Sequence, residues 1–216
     1  MDGFAKHRRR IGLIADSHGS VSALADAIGT LTDHKIDHLF HLGDFCDSIN
    51  CDSLPEVFSL LEQHRVQVVK GNNDYQVEKM LADGYFDENM PNQHRWLKFL
   101  QTTPIMHVKG NVCFAHSLPF DTVRAFYEPV DTGTTERAAE VFHRSGYHAL
   151  FCGHSHQPVF FRNQAGAVPR ETVPTDTAIQ MDGQARYIFI VGSADNGECG
   201  IFDLSSSCYE RIKFER

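Results

Sequence analysis

The residues of this chain best suited to chemistry are a set of carboxylates, amides and imidazoles, several of them beside glycine. Asp16 and His18 stand one residue apart, Asp44 follows Gly43, Asn72 and Asn73 follow Gly71, His116 follows Ala115, and His154 and His156 flank Ser155. Carboxylates with imidazoles suit borderline divalent ions such as manganese, iron, nickel or zinc, and the lack of Cys in the set weighs against a structural zinc cluster. Asp16 with His18, and His154 with His156, are each spaced to bite one ion. Two ions sharing these seven residues (Asp16, His18, Asp44, Asn72, His116, His154, His156) imply that one carboxylate bridges. Asp44 is the natural bridge, on the middle loop of the first three. A bridged pair roughly 3.5–4 Å apart lets one phosphoryl oxygen span both ions while a metal-bound hydroxide attacks phosphorus in line.

The elements around these residues must bring them together. Short apolar runs at 11–15, 38–42 and 66–70 read as strands. Between them, Val21 to Leu31 and the stretch opened by Pro55 carry apolar residues at helical spacing. Strand, helix, strand, helix, strand is the pattern of a parallel βαβ sheet. The intervals from Asp16 to Asp44 and from Asp44 to Asn72 are both 28 residues, so the three should stand side by side at one sheet edge. In open α/β sheets that carboxyl edge is where ligands bind. Residues 74–101 read as helical, as do 134–145. Strands are expected at 105–109, 111–115, 148–152, 158–161, 186–191, 199–204 and 208–214, several joined as antiparallel hairpins. The polar stretch 163–184 reads as a long exposed loop.

Each piece alone has a structural alternative. Asp16-Ser17-His18 ahead of a helix suits an N-cap, Gly43-Asp44 and Gly71-Asn72-Asn73 suit turns, and a single His116 suits a structural histidine. The conjunction of metal-binding types at five successive strand ends favours a site.

The ordered set DSH (16–18), GD (43–44), GNND (71–74), AHS (115–117) and GHSH (153–156) resembles the calcineurin-like metallophosphoesterases from residue 11 to about 203, and most of all their small bacterial and archaeal phosphodiesterase-like branch. The resemblance implies a four-layer α/β/β/α fold, two mixed β-sheets packed face to face with helices outside. It implies that Asp16, His18, Asp44 and His156 bind one ion, and that Asp44, Asn72, His116 and His154 bind the other. Residues 192–203 resemble the family's late Gly-Ser turn and strand, with no catalytic group expected there.

One position departs from the family. Members acting on phosphomonoesters or phosphoproteins usually carry a His where this chain has Asn73, and an amide has no proton to give near neutral pH. A general acid contributes about 10²- to 10⁴-fold, so its loss should hurt poor leaving groups most. Asn73 can still donate a hydrogen bond to a phosphoryl oxygen. Asp74 is expected to close the turn or cap the next helix. His94 and His143 are remote candidates for the missing proton donor, and Arg124 and Arg95 are weak candidates for steering an anionic substrate.

Composition bounds the rest. The 216 residues suit one domain, with a core over about 11–214 and a basic N-terminal arm over 1–10. A net charge of −8 argues against non-specific grip on nucleic acid. No apolar run approaches the roughly 20 residues needed to cross a bilayer. KHRRR is followed by only five uncharged residues before Asp16, too few for a signal peptide, so a cytoplasmic location is expected. The six Cys are irregularly spaced and read as reduced thiols, and Cys46 and Cys51 lack a second pair for zinc. The expected activity is a dinuclear-metal phosphoesterase, favouring phosphodiesters, with manganese as the first-choice ion and Asp44, Asn73 and His116 in catalysis. The alternatives are a phosphomonoesterase or protein phosphatase, and a non-catalytic interaction module on the same fold.

Overall fold

The computed structural model describes residues 9–86 and 92–215. In chain order the elements are β1 (Arg10–Ile14), α1 (Val21–Asp33), β2 (His38–His41), α2 (Leu54–Gln63), β3 (Gln67–Val68), α3 (Asn72–Ala82), α4 (Gln93–Thr102), β4 (Met106–Lys109), β5 (Val112–Ala115), α5 (Glu136–Arg144), β6 (Ala149–Cys152), β7 (Val159–Asn163), β8 (Arg170–Thr172), β9 (Ile179–Gln180), β10 (Arg186–Ile190), β11 (Glu198–Asp203) and β12 (Cys208–Lys213). Short 3-10 turns cover Val123–Phe126 and Ala194–Asn196.

Two six-stranded sheets result, ordered β3-β2-β1-β11-β12-β9 and β4-β5-β6-β10-β7-β8. Both are mixed. β1, β2 and β3 run parallel, and β1 meets β11 antiparallel. β5, β6 and β10 run parallel, flanked by antiparallel β4 and β7. The expected hairpins are present in β4–β5 and β11–β12, but the middle of the second sheet is parallel.

Alternation along the strands sorts the side chains into layers, because successive residues face opposite sides of a sheet. In β1, Ile11 and Leu13 point between the sheets, while Ile14 packs under α1 with Leu24, Ile28 and Leu31. In β5, β6 and β10, Phe114, Phe151 and Phe189 face the inner layer, and Cys113, Leu150 and Ile188 face the layer under α5. The inner aromatics stack across neighbouring strands, with ring centroids 5.8 Å apart for Phe114–Phe151 and 5.2 Å for Phe151–Phe189. Phe40 of the first sheet meets Phe114 of the second at 4.6 Å. Three apolar layers between four layers of backbone, two of sheet and two of helix, give the expected α/β/β/α sandwich.

Four expectations change. The stretch 163–184 is not a plain loop: β8 extends one sheet beside β7, and β9 extends the other beside β12. Edge strands need no apolar alternation, so a polar sequence conceals them; buried Val173 and Met181 anchor the segment. The helical span 74–101 is two helices, and α3 begins at Asn72 with Gly71 as its N-cap. The strand expected over 66–70 is only Gln67–Val68, because the Lys70 N–H leaves the sheet to donate to Pro104 O at 2.9 Å. Arg10 belongs to β1 rather than to an arm; residues 1–8 lie outside the described residues. Among the described residues no helix is long and apolar enough to cross a membrane.

Candidate metal centre

All seven candidate ligands stand at the carboxyl ends of β1, β2, β3, β5 and β6 or in the turns that follow. The turns are knitted by backbone hydrogen bonds: Asp16 N donates to Gly43 O at 3.2 Å, His18 N to Asp44 O at 2.9 Å, and Gly153 N to His116 O at 3.0 Å. Five of the seven, Asp16, His18, Asp44, His154 and His156, have positive φ, from 40° to 69°. Such conformations cost about 1–3 kcal/mol each in non-glycine residues and persist where surrounding contacts enforce them. The flanking glycines make room: a Cβ on Gly71 would lie 2.1 Å from Asp44 Oδ1, and one on Gly153 2.3 Å from Asp16 Oδ2.

Asp44 sits between two groups of side chains. Its Oδ2 lies 3.5 Å from His18 Nε2, and its Oδ1 3.6 Å from His116 Nε2. Asp16 is fully buried; its Oδ2 accepts from His154 N at 2.9 Å, while Oδ1 lies 3.5 Å from His156 Nε2. On the other side Asn72 Oδ1, His116 Nε2 and His154 Nδ1 converge, with the His116 nitrogen 3.1 Å from both neighbours.

Residues 10–185 match the sequence profile of the calcineurin-like phosphoesterase superfamily domain. The chain belongs to this superfamily. No curated protein matches its sequence. Among solved structures, a metallophosphoesterase from Sphaerobacter thermophilus is 21% identical over 96% of this chain and 89% of its own, with TM-score 0.75. A putative diadenosine tetraphosphatase is 17% identical over 98% and 96%, with TM-score 0.57. A novel archaeal phosphodiesterase is 16% identical over 95% and 99%, with TM-score 0.52. At these identities the likeness is one of fold.

Membership of this phosphoesterase superfamily implies divalent metal ions, and the residues fit them. Asp16 Oδ1 is a buried carboxylate oxygen with no hydrogen-bond partner among the described residues. Such an atom is costly unless a cation or donor meets it. The Asn72 oxygen points at His116 Nε2, His154 Nδ1 and the Phe126 carbonyl; turning the amide over would replace these acceptor contacts by N–H donation. Oxygen inward is the orientation a cation needs, since only then do three lone-pair atoms converge. Ligand atoms of Asp16, His18 and His156, and of Asp16, Asp44 and His116, gather within 4.8 Å of one another. The His116 Nδ1 meets Leu42 O at 2.9 Å, and His18 Nδ1 meets Asp195 Oδ2 at 2.9 Å. Each contact turns Nε2 of that ring to the centre, as an oriented metal-binding imidazole requires.

The same density of charge moves the ionisations. Burial resists a charge on His18, but the carboxylates of Asp195, Asp44 and Asp16 outweigh it and carry the ring up to about 10. His116 moves upward likewise, burial being overcome by Asp44 and Asp16. His154, half-buried and beside His116, is pushed down to about 4 by desolvation and then by the His116 charge. Asp44 is held well below the usual carboxylate range, burial being overcome by His116 and by hydrogen bonds from His18 and Asn73. Beneath the centre His41 is buried and falls to about 3, so it stays neutral, with Nε2 3.0 Å from Ser17 Oγ.

Around the ligands, Asn73 donates from Nδ2 to Asp44 Oδ2 at 2.7 Å and from its backbone to Oδ1 at 2.9 Å. Its oxygen accepts from Ser48 Oγ at 2.5 Å. Asp74 does more than cap α3: its carboxylate accepts from Gly71 N, Asp44 N and Cys46 N at 2.8, 2.8 and 2.9 Å, tying two ligand loops together. Burial and the charge of Asp44 push Asp74 up to about 7.

The remaining candidates lie elsewhere. The Arg124 side chain is 84% exposed and paired with Glu128, and Arg95 is paired with Glu62 at 2.7 Å, so the charge of each is compensated away from the ligands. His94 and His143 are exposed on α4 and α5. Residues 192–203, where no catalytic group is expected, supply orienting partners: Asp195 to His18, and Ser193, whose hydroxyl donates to Asp16 O at 2.9 Å. Asp195 and Ser48 had no signal in the sequence, because their partners lie 177 and 25 residues away.

Proposed function

We propose that the chain is a dinuclear-metal phosphoesterase acting on phosphodiesters with good leaving groups. In this reading Asp16, His18, Asp44 and His156 hold one ion, Asp44, Asn72, His116 and His154 hold the other, and manganese is the first ion to try. The observation that carries it is the position of Asp44, with one carboxylate oxygen turned to His18 and the other to His116. When bound, a pair of divalent ions supplies Lewis acidity to the phosphoryl oxygen and a nucleophilic water at neutral pH.

The protein's own residues do the rest. The left-handed turns hold the ligands before any ion arrives, which limits reorganisation in the reaction. Ser48 engages the Asn73 oxygen, which holds the amide N–H₂ on Asp44 Oδ2 and leaves its second N–H to donate to a phosphoryl oxygen. Asn73 cannot protonate a departing oxygen. That favours esters whose leaving group departs as a stable anion, and the names phosphodiesterase and diadenosine tetraphosphatase borne by fold relatives are compatible with it.

The test is hydrolysis of an aryl phosphodiester by protein freed of metal and reloaded with manganese. Activity should appear with the ion and fall by at least about 10²- to 10³-fold in Asp44→Ala, the scale of losing one preorganised electrostatic group. Retained turnover in that variant would sink the proposal. Asn73→His should raise turnover of an alkyl phosphomonoester relative to the aryl diester, by restoring an acid.

A further inference from the structure

Beside the candidate metal centre stands an aromatic wall with no role in the chemistry above. Tyr75 follows Asn72 by three residues on α3, which puts both on one helix face. The Phe126 ring lies 5.4 Å from that of Tyr75 and 5.1 Å from that of Tyr127, tilted 48° to each. Phe126 is buried, and its carbonyl oxygen lies against the Asn72 amide at 3.3 Å. Tyr127 is 47% exposed, one of five large apolar side chains left so open among the described residues. Burial first, then Tyr75 and Asp44, push the pKa of the Tyr127 hydroxyl up and keep it neutral. A second apolar residue, Ile49, is 95% exposed and follows Ser48, whose hydroxyl holds Asn73.

From this juxtaposition we infer that Tyr127 and Tyr75, backed by Phe126, form the subsite for a planar aromatic substituent of the phosphate ester, a nucleobase or aryl ring. The inference rests on the phosphoesterase reading of the adjacent centre and narrows its substrate class. A phosphate held at the metal ligands leaves its ester substituent nowhere to go but outward along the cleft walls. A tyrosine there presents a large rigid face at low entropic cost, with a polar tip that tolerates water. Stacking on such faces tolerates any base, because every base has a π-face. Arg124 belongs to the same 3-10 turn as Phe126, but its guanidinium pairs with Glu128, and that of Arg95 pairs with Glu62, so the wall offers a substituent rings rather than an uncompensated charge.

The experiment is direct binding to the manganese-loaded full chain by calorimetry, comparing adenosine 5′-monophosphate, phenyl phosphate, ribose 5-phosphate and inorganic phosphate. The wild type should bind the first two about tenfold or more tighter than the last two, the scale of one aromatic stack. Tyr127→Ala should remove most of that preference while inorganic phosphate affinity stays within about twofold, and Tyr127→Phe should restore it; the surface position of Tyr127 leaves the fold intact. Preference for adenosine 5′-monophosphate over phenyl phosphate would assign the wall to nucleobases, and equal binding to aryl rings in general. If the wild type hydrolyses the aryl diester yet binds all four alike, the wall is overturned and the phosphoesterase reading stands. If no hydrolysis occurs but the ring preference is present and lost in Tyr127→Ala, the wall stands as a binding site and the catalytic reading fails.

Discussion

The two halves of the centre, divided by Asp44, are built differently. On one side His18 and His156 reach the solvent rim, with His156 39% exposed, and His18 leans on the Asp195 carboxylate. On the other, His116 is fully enclosed, leans on the neutral Leu42 carbonyl, and packs against His154 with ring centroids 4.9 Å apart. Both imidazoles are oriented through Nδ1, but a carboxylate adds charge and a carbonyl does not. The outer half is therefore basic and open to exchange, while the inner half is rigid and set by packing. If each half holds an ion, the outer one should exchange faster and be lost first.

Substitutions on either side should separate the halves. His116→Ala removes a ligand and opens a cavity in a close-packed layer, so it should cost activity and also about 2–4 kcal/mol of stability. His156→Ala should leave stability nearly unchanged and lower bound metal from two ions to one. Metal content by elemental analysis and thermal unfolding of metal-free protein check both, and equal destabilisation by the two changes would erase the contrast. Asp195→Asn should weaken metal in the outer half alone by about 10- to 100-fold, as losing an orienting partner of a ligating imidazole does.

The contrast also has a pH signature. His18 rises from 6.5 to about 10 in the metal-free chain, so its contribution to stability is fully present below 6.5 and is lost as pH climbs through about 10. Metal needs the neutral ring, so affinity of the outer half should rise across that same window, by up to about tenfold per unit. Asp195→Asn should flatten both slopes, and a proton count per ion bound would measure it. The smallest effect belongs to Ser48→Ala, which frees the Asn73 amide to turn; a loss of a few fold in kcat is the scale of one hydrogen bond.

The βαβ first half was legible because α1 and α2 carry apolar stripes and the strands between them are short apolar runs. The site was legible because its residues are chemically conspicuous and recur at strand ends. β8 and β9 were not, since edge strands owe their existence to hydrogen bonds offered by β7 and β12 rather than to their own side chains. The start of α3 was misplaced by two residues, because Gly71 is an N-cap through its backbone and Asp74, with no polar side chain to mark it.

By itself the sequence determined which atoms were available: seven side chains of metal-ligating type, the glycines beside them, and at Asn73 an amide with no proton to give. These are local chemical facts and need no fold to be stated. The tertiary structure decided how those atoms act. Only the closed sandwich buries Asp16 so that one oxygen has no hydrogen-bond partner among the described residues, brings Asp195 across 177 residues to His18, and lays Tyr75, Phe126 and Tyr127 into one wall. Burial, charge proximity and ring contact are properties of neighbours in space, and chain order records them only when the neighbours happen to be close in sequence.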